Sequence, residues 1–315
     1  MSIGVLLVSI FTFVELNCEN VFDCQHDSLK NDYEWLADSG RYWNYKKYWR
    51  KLNNIGKVIL SCGTDSAGWS LPDMVALCEV ENDTVLRDLT QRSLLRKARY
   101  EYIMTDSPDE RGIDVALLYS PYSFLLLNHY SLRGAPVGNL HPSRDILYAS
   151  GQLVNGDTLH VFVVHAPSRA GGERHSRPYR IAVANRLLLA VDSVRQLQAD
   201  ARIIVAGDFN DYPGDSALVL LSRHALKNVS AHAKGRNGAK GTYKYKGLWG
   251  NLDHIFTSGK VAEWLTCCYI HDEPFLLEDD KKYGGVQPRR TYNGFRYNDG
   301  FSDHLPLVAR FVLSH

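Results

Sequence analysis

The chain has almost no net charge, no long hydrophobic run and no dense block of one charge sign. Its 315 residues carry 36 Lys and Arg against 35 Asp and Glu, a formal charge of +1. This balance excludes a broad positive field of the kind that dominates non-specific binding to nucleic acid. The apolar run at the N-terminus is too short to span a bilayer and has no Lys or Arg ahead of it. We assign residues 1–10 as a candidate leader or anchor remnant, and localisation stays open.

The chain also lacks a cysteine pattern and a linker. The six cysteines show no repeated CxxC spacing of a zinc site, and adjacent Cys267-Cys268 form a poor disulfide pair, so we expect reduced, buried thiols. No Pro/Gly/Ser-rich stretch divides the sequence, which predicts a single domain over residues 11–315. We expect a monomer with no obligate protein partner.

Short β-type apolar runs alternate with helical stretches, which indicates an α/β architecture. The predicted helices are 48–60, 83–97 and 180–197, where Leu and Val recur at helical spacing. Strands between residues 113 and 164 are joined by short turns, so we expect them to pair antiparallel. The pattern predicts a mixed sheet sandwich flanked by helices. The predicted strands are 11–16, 74–78, 113–119, 147–154, 159–164, 203–206, 252–257 and 305–313.

Polar side chains stand where several of these buried strands end. Asn17 and Glu19 follow FTFVEL, Glu79 follows MVALC, His165 follows HVFVV, and Asp208 with Asn210 follows ARIIVAG. A single carboxylate at a strand end is an ordinary feature of a protein surface. The repetition of the pattern predicts that these strand ends meet in one site.

The residue types favour a hard metal ion and phosphate chemistry. Carboxylate and amide oxygens are the ligands that Mg²⁺ and Mn²⁺ prefer, whereas zinc favours His and Cys. His304 stands beside Asp303, and Asp253 opens the segment LDHIF. An imidazole held by a carboxylate is oriented and basic, which suits proton transfer or phosphate binding. We expect His165 to be paired in the same way with Asp114, and we interpret His254 as a residue of a surface turn.

The ordered set of these residues resembles the endonuclease/exonuclease/phosphatase superfamily, the fold of pancreatic deoxyribonuclease, over nearly the whole chain. The segment 41–60 and HAPSRAGGERHSRPYR are similar to a bacterial branch of that superfamily with undefined substrates. The motifs that carry the resemblance are ELNCENVFD, LCEVEN, RGIDVALLY, VVHAPSR, AGDFND, LDHIF and FSDHLP. Each is weak alone, and their order makes the set specific.

The resemblance implies an α/β fold: a four-layered sandwich of two mixed, largely antiparallel β-sheets flanked by helices. It also implies that Glu79 ligates a divalent metal, Mg²⁺ or Mn²⁺, with Asn17 and Asp303 close to the ion. Asp208 is expected to orient or deprotonate the attacking water, and Asn210 to hold that water or a phosphate oxygen.

The resemblance further implies roles for the two histidines. His304, supported by Asp253, is expected to bind the scissile phosphate and carry a proton. His165, backed by Asp114, is expected to protonate the leaving oxygen. The implied reaction is in-line attack of water on phosphorus, with charge on the phosphoryl oxygens neutralised by metal and imidazolium.

Arginine-rich stretches indicate where a phosphorylated substrate binds. Arg169, Arg174 and Arg177 follow His165, and guanidinium groups suit phosphates, so we predict that they contact the substrate together with Asn210. Arg290 and Arg296 precede Asp303 in a loop that we expect to close over it.

Three functions stay open at this point. The first is a nuclease or other phosphodiesterase, and the second is a hydrolase of inositol phosphates or phospholipid headgroups. The third is a non-catalytic phosphate-binding domain. A GDxxD metallophosphatase is set aside because the chain has no GNH segment downstream of its GDFND.

Overall fold

The computed structural model describes residues 8–65, 68–134, 144–169 and 171–314. Within these ranges strands outnumber helices, and most of the long strands contain the apolar runs of the sequence. The strands are β1 Val8–Val21, β2 Thr64–Asp65, β3 Gly68–Trp69, β4 Met74–Val80, β5 Glu101–Met104, β6 Asp114–Tyr119, β7 Phe124–Leu132, β8 Ile146–Leu153, β9 Thr158–His165, β10 Arg202–Asp208, β11 Leu226–Asn228, β12 Tyr243–Tyr245, β13 Leu248–Gly250, β14 Asp253–Ser258, β15 Leu265–Ile270, β16 Leu277–Asp279, β17 Val286–Pro288, β18 Tyr292–Asn293, β19 Arg296–Tyr297 and β20 Leu307–Ser314.

Asparagine side chains satisfy free backbone N–H groups at the start of two helices, α1 (Tyr45–Ser61) and α2 (Asp83–Gln91). Asn44 caps α1 by accepting from the Lys47 amide at 3.2 Å, and Asn82 caps α2 by accepting from Val85 at 2.9 Å. Three short 3₁₀ segments, Tyr33–Trp35, Leu94–Lys97 and Pro274–Leu276, complete the helical structure of the described ranges. The α-helices are α1 Tyr45–Ser61, α2 Asp83–Gln91, α3 Glu173–Leu197, α4 Ser216–Arg223 and α5 Gly259–Ala262.

Two mixed sheets form the centre of the fold. The first has the order β15-β20-β1-β4-β6-β5, and the second has the order β11-β14-β10-β9-β8-β7. Each contains a parallel pair, β1 with β4 and β9 with β10, joined through α1 and α3 respectively. The remaining pairs in both sheets are antiparallel. As a result, the carboxyl ends of β1, β4, β9 and β10 point to one edge of the molecule.

The two sheets pack face to face with helices outside. Side chains from both inner faces, such as Cys78 and Val163, share one buried cluster that also contains Ile55 of α1. A second cluster joins α3, through residues such as Leu187, to the outer face of the second sheet. This arrangement confirms the predicted four-layered α/β sandwich.

Several boundaries differ from the sequence-based prediction. β1 begins at Val8, so residues 8–10 of the candidate leader pair with β20, while residues 1–7 lie outside the described residues. The predicted helix 83–97 is broken after Gln91, because Ser93 accepts from the Leu95 amide at 3.1 Å and donates to Leu89 O at 2.5 Å.

The predicted antiparallel run through residues 113–164 is wrong in part. β8 and β9 pair antiparallel, but β6 lies in the first sheet between β4 and β5. The chain changes sheets between β6 and β7, which short-range turn signals do not reveal. No helix in the described ranges is both long and apolar enough to cross a bilayer.

Candidate functional site

The ends of four strands and the starts of two others place the predicted polar residues together. In the second sheet His165 is paired in register with Asp208, and Asp208 is paired on its other side with Asp253. In the first sheet Glu79 lies at a bulge near the end of β4. His304 precedes β20 and forms an isolated bridge with Tyr243.

A cavity of about 570 Å³ opens at this edge. Six of the predicted catalytic and metal-binding residues line it: Glu79, His165, Asp208, Asn210, Asp303 and His304. The cavity therefore contains carboxylates, an amide and imidazoles contributed by both sheets. The other lining residues are Asn20, Arg111, Ser168, Arg169, Glu173, Tyr212, Tyr243, Tyr245 and Leu252.

Asp208 is held from both sides and is almost completely buried. Its Oδ1 accepts from the Asn210 amide at 2.8 Å, and its Oδ2 accepts from Asn17 Nδ2 at 3.0 Å. Burial and the nearby Asp253 carboxylate raise the pKa of Asp208 to about 7. A carboxylate with such a pKa is both oriented and basic near neutral pH.

His304 and Asp253 form a buried hydrogen-bonded pair. His304 Nδ1 donates to Asp253 Oδ2 at 2.7 Å, which leaves Nε2 as the ring nitrogen available to the cavity. Burial opposes a charge on this ring, but the carboxylates of Asp253, Asp208 and Asp303 together outweigh it and raise the pKa of His304 well above its ordinary value. The ring of Tyr243 lies 4.8 Å from the His304 ring, centroid to centroid, and packs against it. His304 is therefore a fixed imidazolium.

His165 does not have the partner that the sequence suggested. The Asp114 carboxylate accepts from Thr105 Oγ1 at 2.5 Å, from the Ser107 amide and from the Ser107 hydroxyl. The predicted pairing with His165 is wrong because Asp114 is used to hold the turn that follows β5. Asp114 is also not among the residues that line the cavity.

The His165 ring instead lies between two carboxylates. Its Nε2 is 3.7 Å from Glu79 Oε1 and 3.7 Å from Asp208 Oδ2, while Nδ1 is buried without a hydrogen-bond partner in the described part of the chain. Burial and the positive charges of Arg144 and Arg111 lower the pKa of His165 well below its ordinary value. The distances allow attraction to both carboxylates, but neither contact is a hydrogen bond, so the neutral ring is the better description.

Asn17 supports the site from below. Its Nδ2 holds Asp208, its Oδ1 accepts from the Glu19 amide at 2.9 Å, and it does not line the cavity. Glu79 does line it, and its Oε2 accepts from the Asn20 amide at 2.9 Å. Asp303 accepts from Arg290 Nη2 at 3.0 Å.

Several residues at this edge have left-handed backbone conformations. The φ angles are +53° for Glu19, +54° for Asn20, +64° for Glu79 and +51° for Asn210. Such conformations cost free energy for residues other than glycine, and they concentrate at functional sites. Gly207 has a φ of +144°, and a Cβ there would lie 1.8 Å from Val164 O, so only glycine fits directly before Asp208.

A hard metal ion fits the donor chemistry of the cavity. Asp208, Asp253 and His304 lie close enough together to form a metal-binding group. However, the protonated His304 donates to Asp253, so both groups are already engaged with each other. Glu79 and Asp303 supply carboxylate oxygens that face the cavity, the type of ligand that Mg²⁺ and Mn²⁺ prefer.

The predicted substrate-binding arginines are divided by the start of α3. Arg169 lines the cavity, but its guanidinium contacts Asp211 at 3.2 Å and Asp215 at 2.8 Å. Arg174 and Arg177 are exposed on α3 and do not line the cavity, and Arg177 pairs with Glu173 at 2.6 Å. The prediction that these two arginines contact a substrate in the cavity is not supported by their positions.

His254 is also placed differently from its prediction. It lies fully buried in β14, where its Nε2 is 2.9 Å from Asp211 O and its Nδ1 is 3.1 Å from Asn228 Nδ2. It is therefore a core histidine with satisfied ring nitrogens. His254 lies in β14, where its side chain points to the face of the sheet opposite to that of Asp253. The surface-turn interpretation is therefore wrong.

The sequence did not single out Glu15, Arg111 or Tyr243 as part of the site. Glu15 is fully buried in β1, and neither of its oxygens has a hydrogen-bond partner in the described residues. Burial and the carboxylates of Asp253 and Asp208 raise the pKa of Glu15 well above its ordinary value, so the group is uncharged. A lone acid within the apolar run FTFVEL was the available signal.

Comparisons with known proteins agree with this fold. Residues 12–312 match the model of the Endonuclease/Exonuclease/phosphatase family. A Bacteroides thetaiotaomicron protein of that family has a similar structure at 15% identity, covering 98% of this chain and 99% of that chain with a TM-score of 0.64. No curated protein matches the chain by sequence.

Two further solved structures share the fold at low identity. A mannosyl-6-phosphatase from B. thetaiotaomicron is 14% identical, covering 96% of this chain and 99% of that chain with a TM-score of 0.63. The human nocturnin catalytic domain with bound sulfate is 16% identical, covering 98% of each chain with a TM-score of 0.59.

Proposed function

The chain belongs to the endonuclease/exonuclease/phosphatase family, and on that basis we propose that it is a divalent-metal-dependent hydrolase that cleaves the P–O bonds of phosphodiesters. The observation that carries the proposal is the convergence of Glu79, Asp208, Asp303 and His304 in one cavity from two different sheets. A structural cluster of buried acids would be enclosed by the packing of the core, whereas these side chains face an open volume.

Asp208 is the proposed base for the attacking water. Its pKa of about 7, raised by burial and Asp253, matches the task of removing a proton near neutral pH. The two hydrogen bonds from Asn210 and Asn17 fix the direction of its oxygens. Asn210 lines the cavity beside it and is placed to hold the water or a phosphate oxygen.

His304 is the proposed electrostatic partner of the phosphate. Its charge is maintained by Asp253, and Nε2 is free to donate to a phosphoryl oxygen that gains negative charge as water attacks. Tyr243 packs on the ring and limits its rotation. A preorganised donor of this kind costs no reorganisation during the reaction.

The role of His165 changes from the sequence-based expectation. A ring whose pKa lies well below its ordinary value is neutral at neutral pH and is a poor acid for a leaving oxygen. We assign it instead to separating Glu79 from Asp208, 3.7 Å from each, and to donating a hydrogen bond to substrate in the cavity.

Glu79 and Asp303 would hold the metal, with Asn17 supporting the base from beneath. When bound, Mg²⁺ or Mn²⁺ supplies a Lewis acid that stabilises negative charge on phosphoryl oxygens. The hydrogen bond from the Asn20 amide to Glu79 Oε2 and the ion pair of Asp303 with Arg290 orient these carboxylates.

The test is a substrate panel with the full-length protein, with and without Mg²⁺ and with chelator. The panel contains bis-p-nitrophenyl phosphate, p-nitrophenyl phosphate, single-stranded oligonucleotide, inositol phosphates and phospholipids. Hydrolysis of the diester that chelator abolishes and Mg²⁺ restores supports the proposal. Cleavage of monoesters alone would replace it with a phosphatase, and failure on every substrate would leave a non-catalytic phosphate-binding domain.

A further inference from the structure

A second cavity adjoins the catalytic one. It has a volume of about 420 Å³ and lies between the hairpin β12–β13 and the hairpin β16–β17. Tyr245 lines both cavities. Arg290, which lines the second, donates to Asp303, which lines the first, at 3.0 Å. The two cavities therefore adjoin each other at Tyr245 and at the Arg290–Asp303 ion pair.

The second cavity carries an excess of positive charge that the whole chain does not. Of its cations, Lys244 pairs with Asp280 at 2.7 Å and Arg290 pairs with Asp303. No carboxylate within the described ranges forms an ion pair with the remaining four cations. Besides Asp280, two acidic residues line the cavity: Glu278, which accepts a hydrogen bond from Gln287, and Asp279. These four cations are Lys246, Lys281, Lys282 and Arg296.

The turn of the β12–β13 hairpin fixes the backbone position of one of these cations, Lys246. Tyr245 is paired with Leu248, so Lys246 and Gly247 form a two-residue turn with φ angles of +49° and +83°. Lysine at such a position costs roughly 1 kcal/mol relative to the favoured Asn or Gly. A Cβ on Gly247 would lie 2.8 Å from the Cβ of Tyr283, so the turn presses against the opposite hairpin.

A second contact holds the two hairpins together from inside. Lys244 Nζ donates to Gly284 O at 2.9 Å and to Val286 O at 3.1 Å, beside its ion pair with Asp280. The Lys244 ammonium group is therefore engaged in holding the two hairpins together. The exposed lysines around it are free to meet a ligand on a surface that is already ordered.

Exposed tyrosines alternate with these lysines. Tyr245 and Tyr283 are 58% and 49% exposed. Lys246 Nζ lies 5.2 Å from the Tyr245 ring centre, and Lys282 Nζ lies 5.1 Å from that of Tyr283. Exposed rings interleaved with cations are typical of surfaces on which single-stranded nucleic acid stacks its bases and places its phosphates.

We propose that this second cavity is an accessory subsite that binds the strand of a single-stranded oligonucleotide beyond the phosphate held in the catalytic cavity. The proposal rests on the proposed hydrolase function and deepens it. Bases stack on Tyr245 and Tyr283, and the neighbouring phosphates contact Lys246, Lys281 and Lys282. The near-neutral chain thus confines its polyanion binding to one short surface beside the site.

The test is a neutralised variant that combines Lys246→Asn, Lys281→Gln and Lys282→Gln in the full chain. Asn suits the left-handed position of Lys246. Its kcat/KM is measured on bis-p-nitrophenyl phosphate and on a single-stranded DNA oligonucleotide, at several salt concentrations. The matched control neutralises three exposed lysines outside both cavities, namely Lys97, Lys234 and Lys260.

The triple variant is expected to lose affinity for the oligonucleotide alone. Three lost phosphate contacts reduce the slope of log KM against log salt by about 2, which corresponds to a KM increase of about 100-fold at 0.1 M salt. Activity on the small diester, and both activities of the control, stay unchanged. Equal oligonucleotide KM and salt slope in variant and control would overturn the inference while leaving the hydrolase intact.

A second variant tests the stacking component. Tyr283→Ala keeps the Cβ that contacts the hairpin turn but removes the ring, and the oligonucleotide KM is expected to rise about 5- to 150-fold. A polyphosphorylated small molecule has no base to stack and would be insensitive to this change. If the lysine variant impairs cleavage of an inositol polyphosphate while Tyr283→Ala leaves oligonucleotide cleavage unchanged, the nucleic-acid assignment is wrong.

Discussion

Replacing Lys51 by methionine removes the positive partner of a buried ion pair next to the site. Lys51 lies in α1 with 1% exposure, and its Nζ is 3.7 Å from Glu19 Oε2. The same Nζ donates to Thr291 Oγ1 and to Phe301 O, each at 2.6 Å. Glu19 Oε2 also accepts from the Thr291 amide at 2.6 Å. The pair therefore connects α1 and the end of β1 to the segment that carries Asp303 and His304.

Methionine fills a similar volume but leaves Glu19 without its cation and Phe301 O without a donor. Removing one partner of a buried pair costs about 3 to 5 kcal/mol, whereas removing both charges costs much less. We expect the free energy of unfolding, measured by urea titration, to fall by about 3 kcal/mol in Lys51→Met. The double variant Lys51→Met with Glu19→Gln is expected to recover at least about 1 kcal/mol of that loss.

The control for this prediction is Lys57→Met in the same helix. Lys57 is exposed, with its Nζ 4.3 Å from the centre of the Phe275 ring, and its loss is expected to cost less than about 1 kcal/mol. If Lys51→Met is no less stable than Lys57→Met, the buried pair has no stabilising role and the reasoning fails. If the double variant loses the sum of its single effects, the two groups are not coupled.

Further predictions concern the site and the pH dependence of stability. His304→Ala is expected to lower kcat on a chromogenic diester by about 10² to 10⁴, whereas His129→Ala, an exposed residue outside the cavity, leaves it unchanged. Gly207→Ala, whose Cβ would meet a neighbouring strand at 1.8 Å, is expected to abolish activity or soluble folding, while Gly259→Ala, with no atom within 4 Å, does neither. Burial lowers the pKa of His271 from 6.5 to about 4. The unfolded chain then binds a proton between these values that the folded chain does not, so stability falls as pH falls through this window, by roughly 3 kcal/mol at most. His271→Gln is expected to flatten that part of the profile in urea titrations, and an unchanged slope would refute the assignment.

The local sequence was informative wherever a residue's environment follows from strand burial. Asp208 and Asn210 end a strand that must be buried, and the structure places both at the cavity. The pairing of His304 with Asp253 was also expected, and a 2.7 Å hydrogen bond joins them. Strand periodicity and the polar residues that interrupt it are properties of a few consecutive residues, so they can be recognised without the fold.

The wrong predictions concern side chains whose contacts depend on residues outside their own segment of the sequence. Asp114 was expected to support His165, but hydrogen bonds from Thr105 and Ser107 satisfy it instead. Arg174 and Arg177 became exposed because α3 begins earlier than its apolar periodicity indicates, at Glu173. Arg174 and Arg177 are three residues apart, so the helix places both on one exposed face.

The amino-acid sequence by itself determined the α/β class, the order of the strands that carry the site and the chemistry of the residues at their ends. Only the tertiary structure decided that Glu15 is buried under the site, that Lys51 reaches Glu19, and that the hairpin containing Tyr245 joins two cavities. The physical reason is that burial and hydrogen bonding between distant segments depend on how two sheets and their connecting loops pack. A three-residue strand carries no periodicity from which that packing can be inferred.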